Sequence, residues 1–340
     1  MKLTPEQIKD QLRLAGKTPV ADVQISLEDI ESFGDPASMK EMIGDINKYK
    51  KMLEERITLI NDALSSAIPF TRENLYLFCA YTGSGKSTVA ANITHPLWKQ
   101  KKKTLVISNE ESKQDILFRI SCLELGLNFN DYKKGNMSNE DVRRVVLLFP
   151  EISNYVKVLD VTYQDGITTK VEGIKKALES VKKEESYSCV LIDYFQLIKY
   201  SMKDSKKAAY ENLNDLRVWL GQYIKSSTMP VVLFAQLYSV SKKGGAKDID
   251  TRIKDCTSIV EPATVILEIV PNFDNKTSEF IIHKDRFGRA GHKITCGFEK
   301  GRYVMIDDDE VIRRELDAKL AAADEKLDKL EAMVRIGKEG

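Results

Sequence analysis

The sequence of 340 residues is poor in the residue types that build disulfide or metal scaffolds. It contains five cysteines and three histidines, and the cysteines are scattered and never spaced as Cys-x-x-Cys. This pattern excludes a disulfide-framed secreted domain and a zinc site built from cysteine pairs. We therefore expect the cysteines to be small buried residues of a protein from a reducing compartment.

A strong charge of either sign is also missing, because 52 basic and 51 acidic residues leave a formal net charge of +1. Any contact with nucleic acid must then come from a local basic patch rather than from a global field. No window of the sequence reaches the apolar length of a membrane-spanning helix, and the acidic residues near the N-terminus do not fit a signal peptide. We expect a soluble, cytoplasmic protein without a membrane partner.

From residue 74 onward, short apolar segments alternate with amphipathic helical segments. The first five apolar segments are near-continuous, which is typical of a parallel sheet buried on both faces, and the last three favour an antiparallel edge. The sequence therefore predicts an α/β fold with a mainly parallel central sheet. The eight predicted strands are Leu75–Ala80, Thr104–Ser108, Val156–Val161, Cys189–Asp193, Val231–Gln236, Val265–Val270, Phe280–Lys284 and Arg302–Ile306.

The regions on either side of this alternating segment have helical periodicity. We predict a helical N-terminal arm over residues 1–65, with a long helix at Ser38–Ser65, an α/β domain over residues 66–308, and an amphipathic C-terminal helix over residues 309–340. Apolar residues in the tail follow heptad spacing, which fits packing on its own domain or contact with a neighbouring subunit or a partner protein.

The most informative segment is Ala80–Ser87, which lies between a predicted strand and a predicted helix. Its glycines allow a sharp turn with inward N–H groups, and the helix N-terminus adds partial positive charge. This pattern is typical of a phosphate-binding loop, in which Lys86 reaches the β- and γ-phosphates and the Ser87 hydroxyl ligates Mg²⁺. A chance Gly-Lys-Ser in a glycine-rich loop is disfavoured because strand and helix are both in place. The predicted nucleotide contacts are Thr82, Gly83, Ser84, Gly85, Lys86, Ser87 and Thr88.

Two predicted strands lead into carboxylates that suit nucleotide chemistry. Asp193, at the carboxyl end of a central parallel strand, can hold Mg²⁺ through water. Glu110 and Glu111 follow the second strand, where a carboxylate can polarise an attacking water. The alternative is that both glutamates only begin the next helix, Glu110–Leu125, where acidic side chains favour the helix dipole. We prefer Glu110 as the general base and leave the choice between the two glutamates open.

Three further polar side chains lie at strand ends. Gln236 is either a sensor of the γ-phosphate that moves the loop after it, or a buried amide satisfied by the backbone. Lys284 and Arg286 lie two residues apart on a strand and therefore project to the same side. Two cations without a nearby acid suggest a phosphate target, which in a ring is the neighbour's nucleotide; the alternative is a solvated hairpin tip.

In sequence and order, these motifs resemble the C-terminal motor domain of DnaB-type replicative helicases, a hexameric family with a RecA-like core. The segments that carry the resemblance are AYTGSGKS, VISNEES, VLIDYFQLI, VVLFAQL, IKDCTSI and HKDRFG, spread over about residues 70–306. The Asn109–Ser112 segment also resembles phage primase-helicases and KaiC-like ATPases. The chain departs from the family in lacking the globular N-terminal collar domain and any zinc-binding cysteine set of a fused primase, and this compactness is phage-like.

The resemblance implies a homohexamer that hydrolyses ATP with Mg²⁺, moves 5′ to 3′ on single-stranded DNA and separates forked DNA, in the host cytoplasm if it is phage-encoded. It implies that Lys86, Glu110 and Gln236 act in hydrolysis, that Ser87 and Asp193 hold the metal, and that Lys284 and Arg286 act on the adjacent subunit's ATP. It further implies an N-terminal arm that contacts the next subunit, and a primase, polymerase or loader as protein partners.

Two lysine-rich loops would, by the same resemblance, line the central channel and hold the DNA backbone through contacts that do not depend on sequence. The alternative for each cluster is a solubilising loop. The residues expected to bind DNA are Lys203, Lys206, Lys207, Lys242, Lys243, Gly244, Gly245 and Lys247.

Two other functions fit the same motifs. One is a RecA- or KaiC-like DNA-stimulated ATPase that acts as a recombination mediator or loader without unwinding. The other is a nucleotide-switched scaffold. The paired Lys284 and Arg286 favour a motor or another multimer over a monomeric switch, and strand displacement on a forked substrate would separate the helicase from both alternatives.

Overall fold

The computed structural model describes residue 57 and residues 60–160, 171–184, 186–193, 206–238, 249–253, 257–307, 310–314 and 317–318. Within these ranges the strands are β1 (Leu75–Ala80), β2 (Lys103–Ser108), β3 (Val156–Leu159), β4 (Tyr187–Asp193), β5 (Val231–Gln236), β6 (Val265–Asn272), β7 (Thr277–Asp285), β8 (Lys293–Glu299) and β9 (Arg302–Met305). The helices are α1 (Asp62–Ala67), α2 (Lys86–Lys99), α3 (Lys113–Leu125), α4 (Phe129–Lys133), α5 (Asn139–Leu147), α6 (Phe149–Tyr155), α7 (Val171–Lys183), α8 (Lys206–Lys225) and α9 (Ile249–Arg252), with a 3₁₀ turn at Thr257–Val260.

The strands form one sheet in the order β3-β2-β4-β5-β1-β6-β7-β8-β9. Neighbours from β3 to β6 pair in parallel, and the pairs from β6 to β9 are antiparallel. This confirms the predicted α/β fold with a mainly parallel sheet and an antiparallel edge.

The central strands are buried on both faces because their side chains alternate between two apolar layers. On one face, Phe78 of β1 and Phe234 of β5 lie with ring centroids 5.6 Å apart, beneath α2. On the other face, Leu77 and Leu233 pack with Leu220 of α8. Helices on both faces make the sheet a rigid platform whose strand ends can hold functional side chains.

The parallel register brings distant parts of the chain to one edge of the sheet. Ala80 at the end of β1 pairs with Gln236 at the end of β5, and Ser108 at the end of β2 pairs with Asp193 at the end of β4. Strand β7 runs the other way, so its last residues lie at the opposite edge, where the Arg286 N–H donates to the Thr264 carbonyl over 3.1 Å.

The structure adds one strand that the sequence did not predict. Strand β8 is mostly half-buried or exposed, and Gly297 interrupts its side-chain pattern. The alternation of apolar and polar residues is weak in such a strand, so its sequence alone does not predict it. Hydrogen bonding to β7 and β9 holds these residues in the extended conformation.

The predicted helix Ser38–Ser65 is wrong at its C-terminal end. Ile57 forms an antiparallel bridge with Phe70, and Ile60 has a φ of +64°, so a helix cannot run through this stretch. Helix α1 instead starts at Asp62, where the Asn61 side chain accepts a hydrogen bond from the Leu64 N–H over 3.0 Å.

Most of the predicted N-terminal arm and C-terminal helix lies outside the described residues. The arm is not described over residues 1–56, and the tail is not described over residues 319–340. The described parts of the tail, residues 310–314 and 317–318, are helical. The boundaries between the three proposed domains stay predictions.

Four of the five cysteines, Cys79, Cys122, Cys189 and Cys296, are buried free thiols, as expected, and Cys256 lies outside the described residues. Burial raises the pKa of the Cys122 thiol to about 12. In the described part of the chain, no three histidine, cysteine or carboxylate side chains come together to hold a metal. None of the described helices combines the length and apolar character needed to cross a membrane.

The buried Tyr76 hydroxyl gives a test of how β1 is tied to the segment before it. It donates to the Pro69 carbonyl over 2.6 Å and accepts from the Thr71 N–H over 2.9 Å. We expect Tyr76→Phe to lower the free energy of unfolding by about 1–3 kcal/mol, because both backbone groups lose their partner. Urea denaturation would measure this, with Tyr132→Phe at a partly exposed ring as the control. Equal stability of Tyr76→Phe and wild type would contradict the expectation.

Candidate nucleotide-binding site

The loop after β1 has the conformation that the glycine pattern predicts. Gly83 and Gly85 have φ values of +78° and +90°, in the left-handed region that favours glycine. Gly85 caps α2, and a Cβ atom there would also lie 3.2 Å from the Tyr303 hydroxyl. The loop therefore ends at a helix N-terminus, as a phosphate-binding loop does.

A cavity of about 320 Å³ opens over this loop. It is lined by residues 82–88, which include every predicted nucleotide contact, and by both Glu110 and Glu111. The sequence reasoning missed the opposite wall of the cavity, because no motif marks its residues and only tertiary folding brings them together. This wall comes from α3, α4, the end of β6 with the turn after it, β8 and β9. Its members include Arg119, Asn130, Asn272, Lys276, Phe298 and Tyr303.

Ser87 and Asp193 meet beneath the loop, as the sequence predicts. The Ser87 hydroxyl donates to Asp193 Oδ2 over 3.0 Å. Burial raises the pKa of Asp193 to about 6, against the opposing effects of the Ser87 hydrogen bond and the Lys86 charge. Within the described residues, the second carboxylate oxygen, Oδ1, is buried without a hydrogen-bond partner. A hydroxyl beside a carboxylate with an unused oxygen fits a hard cation such as Mg²⁺.

The two glutamates after β2 differ in their surroundings. Helix α3 begins at Lys113 with Ser112 as its cap, so neither glutamate belongs to the helix, and the prediction of a helix from Glu110 is wrong at its start. Glu111 is held by Arg119, with contacts of 2.6 and 3.0 Å, and the Arg119 guanidinium lies 4.0 Å from the centre of the Phe129 ring. Glu110 is exposed and, within the described residues, has no hydrogen bond or ion pair.

Gln236 touches the phosphate loop directly. Its side-chain amide donates to the Thr82 hydroxyl, and its half-buried position at the end of β5 places it beside the end of β1. The structure therefore brings Gln236, the predicted γ-phosphate sensor, into contact with Thr82, one of the residues predicted to bind the nucleotide.

Lys284 and Arg286 lie on one side, as predicted, but at the opposite edge of the sheet from the cavity. Both side chains donate to the Glu261 carbonyl, over 3.3 and 3.1 Å. Burial, and then the Arg286 charge, lower the pKa of Lys284, while the Glu261 carboxylate opposes them. The expectation that no acid lies nearby is therefore wrong, although the Glu261 carboxylate is already paired with Arg217.

Most of the residues expected to bind DNA lie outside the described residues. These are Lys203 and the residues of segment 242–247. That segment contains Lys242, Lys243, Gly244, Gly245 and Lys247. Lys206 and Lys207 begin helix α8 instead of lying in a loop, since the alanines that follow them favour a helix.

Comparison with known proteins agrees with these motifs. A family model described as the DnaB-like helicase C terminal domain matches residues 62–305. The chain is 26% identical over 231 residues to the replicative DNA helicase DnaB of Geobacillus stearothermophilus, and likewise to the replicative DNA helicase DnaC of Bacillus subtilis. Each alignment covers 65% of this chain and 50% of the relative, so the chain spans about half the length of the curated relatives it matches.

Two solved structures share the fold. One is an ATPase domain, with a TM-score of 0.64 at 18% identity, over 80% of this chain and 100% of that one. The other is a DnaB-like replicative helicase, described with its interactions with primase, with a TM-score of 0.61 at 17% identity, over 89% of this chain and 72% of that one. The shared fold is the RecA-like core that the sequence suggested.

The raised pKa of Asp193 predicts a stability that depends on pH in the absence of nucleotide and metal. Between its ordinary value of 3.8 and about 6, the folded protein keeps a proton that the unfolded chain has released. The free energy of unfolding therefore falls as pH rises through this window and stays lower above it. We expect Asp193→Asn to be more stable than wild type at pH 7, by up to about 3 kcal/mol, with the difference shrinking towards pH 4.

Urea denaturation at several pH values, with EDTA and without nucleotide, would measure the difference between Asp193→Asn and wild type. A variant that is less stable than wild type at pH 7 would show that the buried carboxylate favours the folded state, which is the opposite of the expected effect.

Proposed function

The chain belongs to the family of DnaB-like helicase C-terminal domains, and on this premise we propose that it is the ATP-driven motor of a replicative DNA helicase. The observation that carries the proposal is a single cavity. It combines the phosphate-binding type of loop, the Ser87–Asp193 pair beneath that loop, and the exposed Glu110 at its side. These are the parts that phosphoryl transfer to water requires, since catalysis rests on positioning and on stabilisation of charge.

Substrate binding falls to the loop residues 82–88. These residues line the cavity at the N-terminus of α2, whose partial positive charge attracts the phosphates of ATP. Lys86 adds a fixed positive charge for the β- and γ-phosphates. Ser87 and Asp193 would hold Mg²⁺, which when bound neutralises the charge of the phosphate oxygens.

Glu110 is the proposed general base. It faces the cavity without an ion pair in the described chain, so its carboxylate can orient a water and accept its proton. Glu111 is bound by Arg119, and this pair instead shapes the cavity wall. Gln236, through Thr82, is placed to respond to the γ-phosphate.

Lys284 and Arg286 support a ring. They lie at the edge of the sheet opposite their own phosphate loop, so they can serve hydrolysis only at the nucleotide of another subunit. We propose a homo-oligomer, with six subunits as the expected number.

Single-stranded DNA would pass through the ring and contact the segments of Lys203–Lys207 and Lys242–Lys247, with movement from 5′ to 3′. Because one structural relative is described with its interactions with primase, a primase is the first protein partner to test, ahead of a polymerase or loader. A recombination mediator or a loader without unwinding is not favoured, since the matched family is that of DnaB-like helicases.

Glu110→Gln should lower ATP turnover about 100-fold or more while ATP binding persists, because the amide cannot accept the proton. Phosphate release would measure turnover, and a fluorescent ATP analogue would measure binding. Glu111→Gln is the matched control, and it should retain more activity because it loses only the contact with Arg119. Normal turnover in Glu110→Gln, with loss in Glu111→Gln, would reverse the assignment.

Mixing two inactive variants tests the action of Arg286 across subunits. We expect Arg286→Ala and Lys86→Ala each to lose about 1000-fold or more of DNA-stimulated ATPase, yet to form rings by mass photometry. In a mixed ring, some interfaces join the intact phosphate loop of an Arg286→Ala subunit to the intact Arg286 of a Lys86→Ala subunit. At these interfaces ATPase activity, and with it the unwinding of forked DNA, should partly return. If mixing restores no activity, the action across subunits is wrong. If the wild-type ring hydrolyses ATP with DNA but separates no strands, the helicase proposal is wrong.

A further inference from the structure

Lys284 and Arg286, which we call the cation pair, are held by backbone carbonyls of the turn formed by residues 260–262. Lys284 Nζ donates to the Val260 carbonyl over 2.7 Å and to the Glu261 carbonyl over 3.3 Å. Arg286 Nη2 donates to the same Glu261 carbonyl over 3.1 Å. A carbonyl oxygen has two lone pairs, so this one atom can accept from both like charges and fix the spacing between them.

The two cations differ in the donors that they have left for a ligand. A guanidinium carries five N–H donors and an ammonium group carries three. In the part of the chain that the structure describes, Arg286 makes one side-chain hydrogen bond and Lys284 makes two. Arg286 is also exposed, whereas Lys284 is half-buried. Arg286 can therefore bind a phosphate while it stays bonded to the Glu261 carbonyl.

An ion pair with helix α8 holds the residue that supplies the shared carbonyl. Arg217 Nη1 is paired with the Glu261 carboxylate, and Arg217 Nε donates to Asn214 Oδ1 over 3.0 Å. Only 18% of the Arg217 side chain is exposed, against 63% of the Glu261 side chain. Because the planar guanidinium is bonded on two sides, it directs Glu261 towards one orientation.

Helix α8 approaches the turn again at Gly221. A Cβ atom at Gly221 would lie 3.6 Å from Pro262 Cβ, so the helix passes close to the turn. Residues 217 and 221 lie on the same face of the helix, because they are four positions apart. Pro262 also limits the backbone conformations of Glu261, the residue before it, and so narrows the directions open to the Glu261 carbonyl.

The Arg217–Glu261 pair is informative through its position rather than its strength. Its carboxylate is mostly exposed, and exposed ion pairs add little to stability. Loss of the pair should therefore leave the fold intact and change mainly the orientation of Glu261. The sequence analysis did not single out either residue, since they are distant in the chain and belong to no motif.

We propose that Arg217 and Glu261 are positioning residues for hydrolysis in the neighbouring subunit. They hold the Glu261 carbonyl, and through it the cation pair, where both cations can reach the neighbour's ATP. Such positioning matters because a displacement of about 1 Å can slow a reaction about 100-fold. The inference rests on the proposed function, which assigns action across subunits to the cation pair.

Arg217→Gln tests the role in a uniform ring. We expect the DNA-stimulated kcat for ATP to fall about tenfold, because the cation pair is less well placed. The KM for ATP should stay within about twofold of wild type, since the loop that binds ATP is untouched. Arg217→Lys should restore part of kcat, because an ammonium group keeps the charged contact with Glu261 but loses the bond from Nε to Asn214. Mass photometry should show rings in both variants.

A double-mutant cycle tests whether Arg217 acts through Glu261. Glu261→Gln should lower kcat as far as Arg217→Gln does, and the double variant should fall no further, because both substitutions remove the same contact. Glu299→Gln is the matched control. Glu299 is 56% exposed and paired with Arg314 at 2.7 Å, and it does not line the cavity over the phosphate loop. We expect Glu299→Gln to keep the wild-type kcat.

Mixed rings show in which subunit Arg217 acts. In the mixture of Arg286→Ala and Lys86→Ala subunits, the Lys86→Ala chain supplies the cation pair and the Arg286→Ala chain supplies the phosphate loop. Arg217→Gln is then added to one chain at a time. The restored ATPase should fall about tenfold when Arg217→Gln is on the chain that supplies the cation pair, and should stay unchanged when it is on the other chain. A merely structural role would lower both equally.

Several results would overturn the inference and leave the proposed function standing. One is a restored ATPase that is equal in these two mixtures, or lower when Arg217→Gln is on the chain that supplies the loop. Others are a wild-type kcat or a loss of rings in Arg217→Gln, and an equal fall of kcat in Glu299→Gln. If the parent mixture of Arg286→Ala and Lys86→Ala restores no activity, the proposed action across subunits is wrong, and this inference is wrong with it.

Discussion

The parallel register of β2, β4, β5 and β1 is the constraint on which the site depends. Hydrogen bonding between these strands fixes Ser108 beside Asp193 and Gln236 beside Ala80, although the chain separates the members of each pair by many residues. All of these parallel strands end at the same edge of the sheet. The phosphate loop, the candidate metal ligand Asp193 and the candidate sensor Gln236 therefore lie close together without long connecting loops. A slip of one residue would turn each of these side chains to the other face.

Burial of Asp193 shows what this convergence costs. Within the described residues, one carboxylate oxygen of Asp193 is buried under the phosphate loop without a hydrogen-bond partner. Burial raises the pKa of this side chain, so the ionised carboxylate disfavours the folded state. The apolar layers on both faces of the sheet, with Phe78 and Phe234 on one of them, offset that cost. The site thus holds a charge in readiness for a ligand, at the expense of stability without it.

Local patterns predicted the parts of the site that are continuous in sequence. The loop 82–88, the end of β4 at Asp193 and the end of β5 at Gln236 each carry a signal within a few residues. The sequence could not choose between Glu110 and Glu111, because the distinction arises from Arg119, one helix away. It also missed Arg217 and strand β8, since ion pairs between distant residues and half-exposed edge strands leave no periodic pattern.

The contact between Tyr303 and the phosphate loop has a consequence for synthesis of the chain. Tyr303 belongs to β9, its N–H is bonded to Asn92 of α2, and its hydroxyl lies against Gly85. One wall of the cavity is therefore made by a strand that leaves the ribosome long after the loop it covers. A nascent chain therefore carries the complete phosphate motif before it carries the complete pocket, and a ligand that contacts both the loop and this wall stabilises the finished chain more than the shorter one.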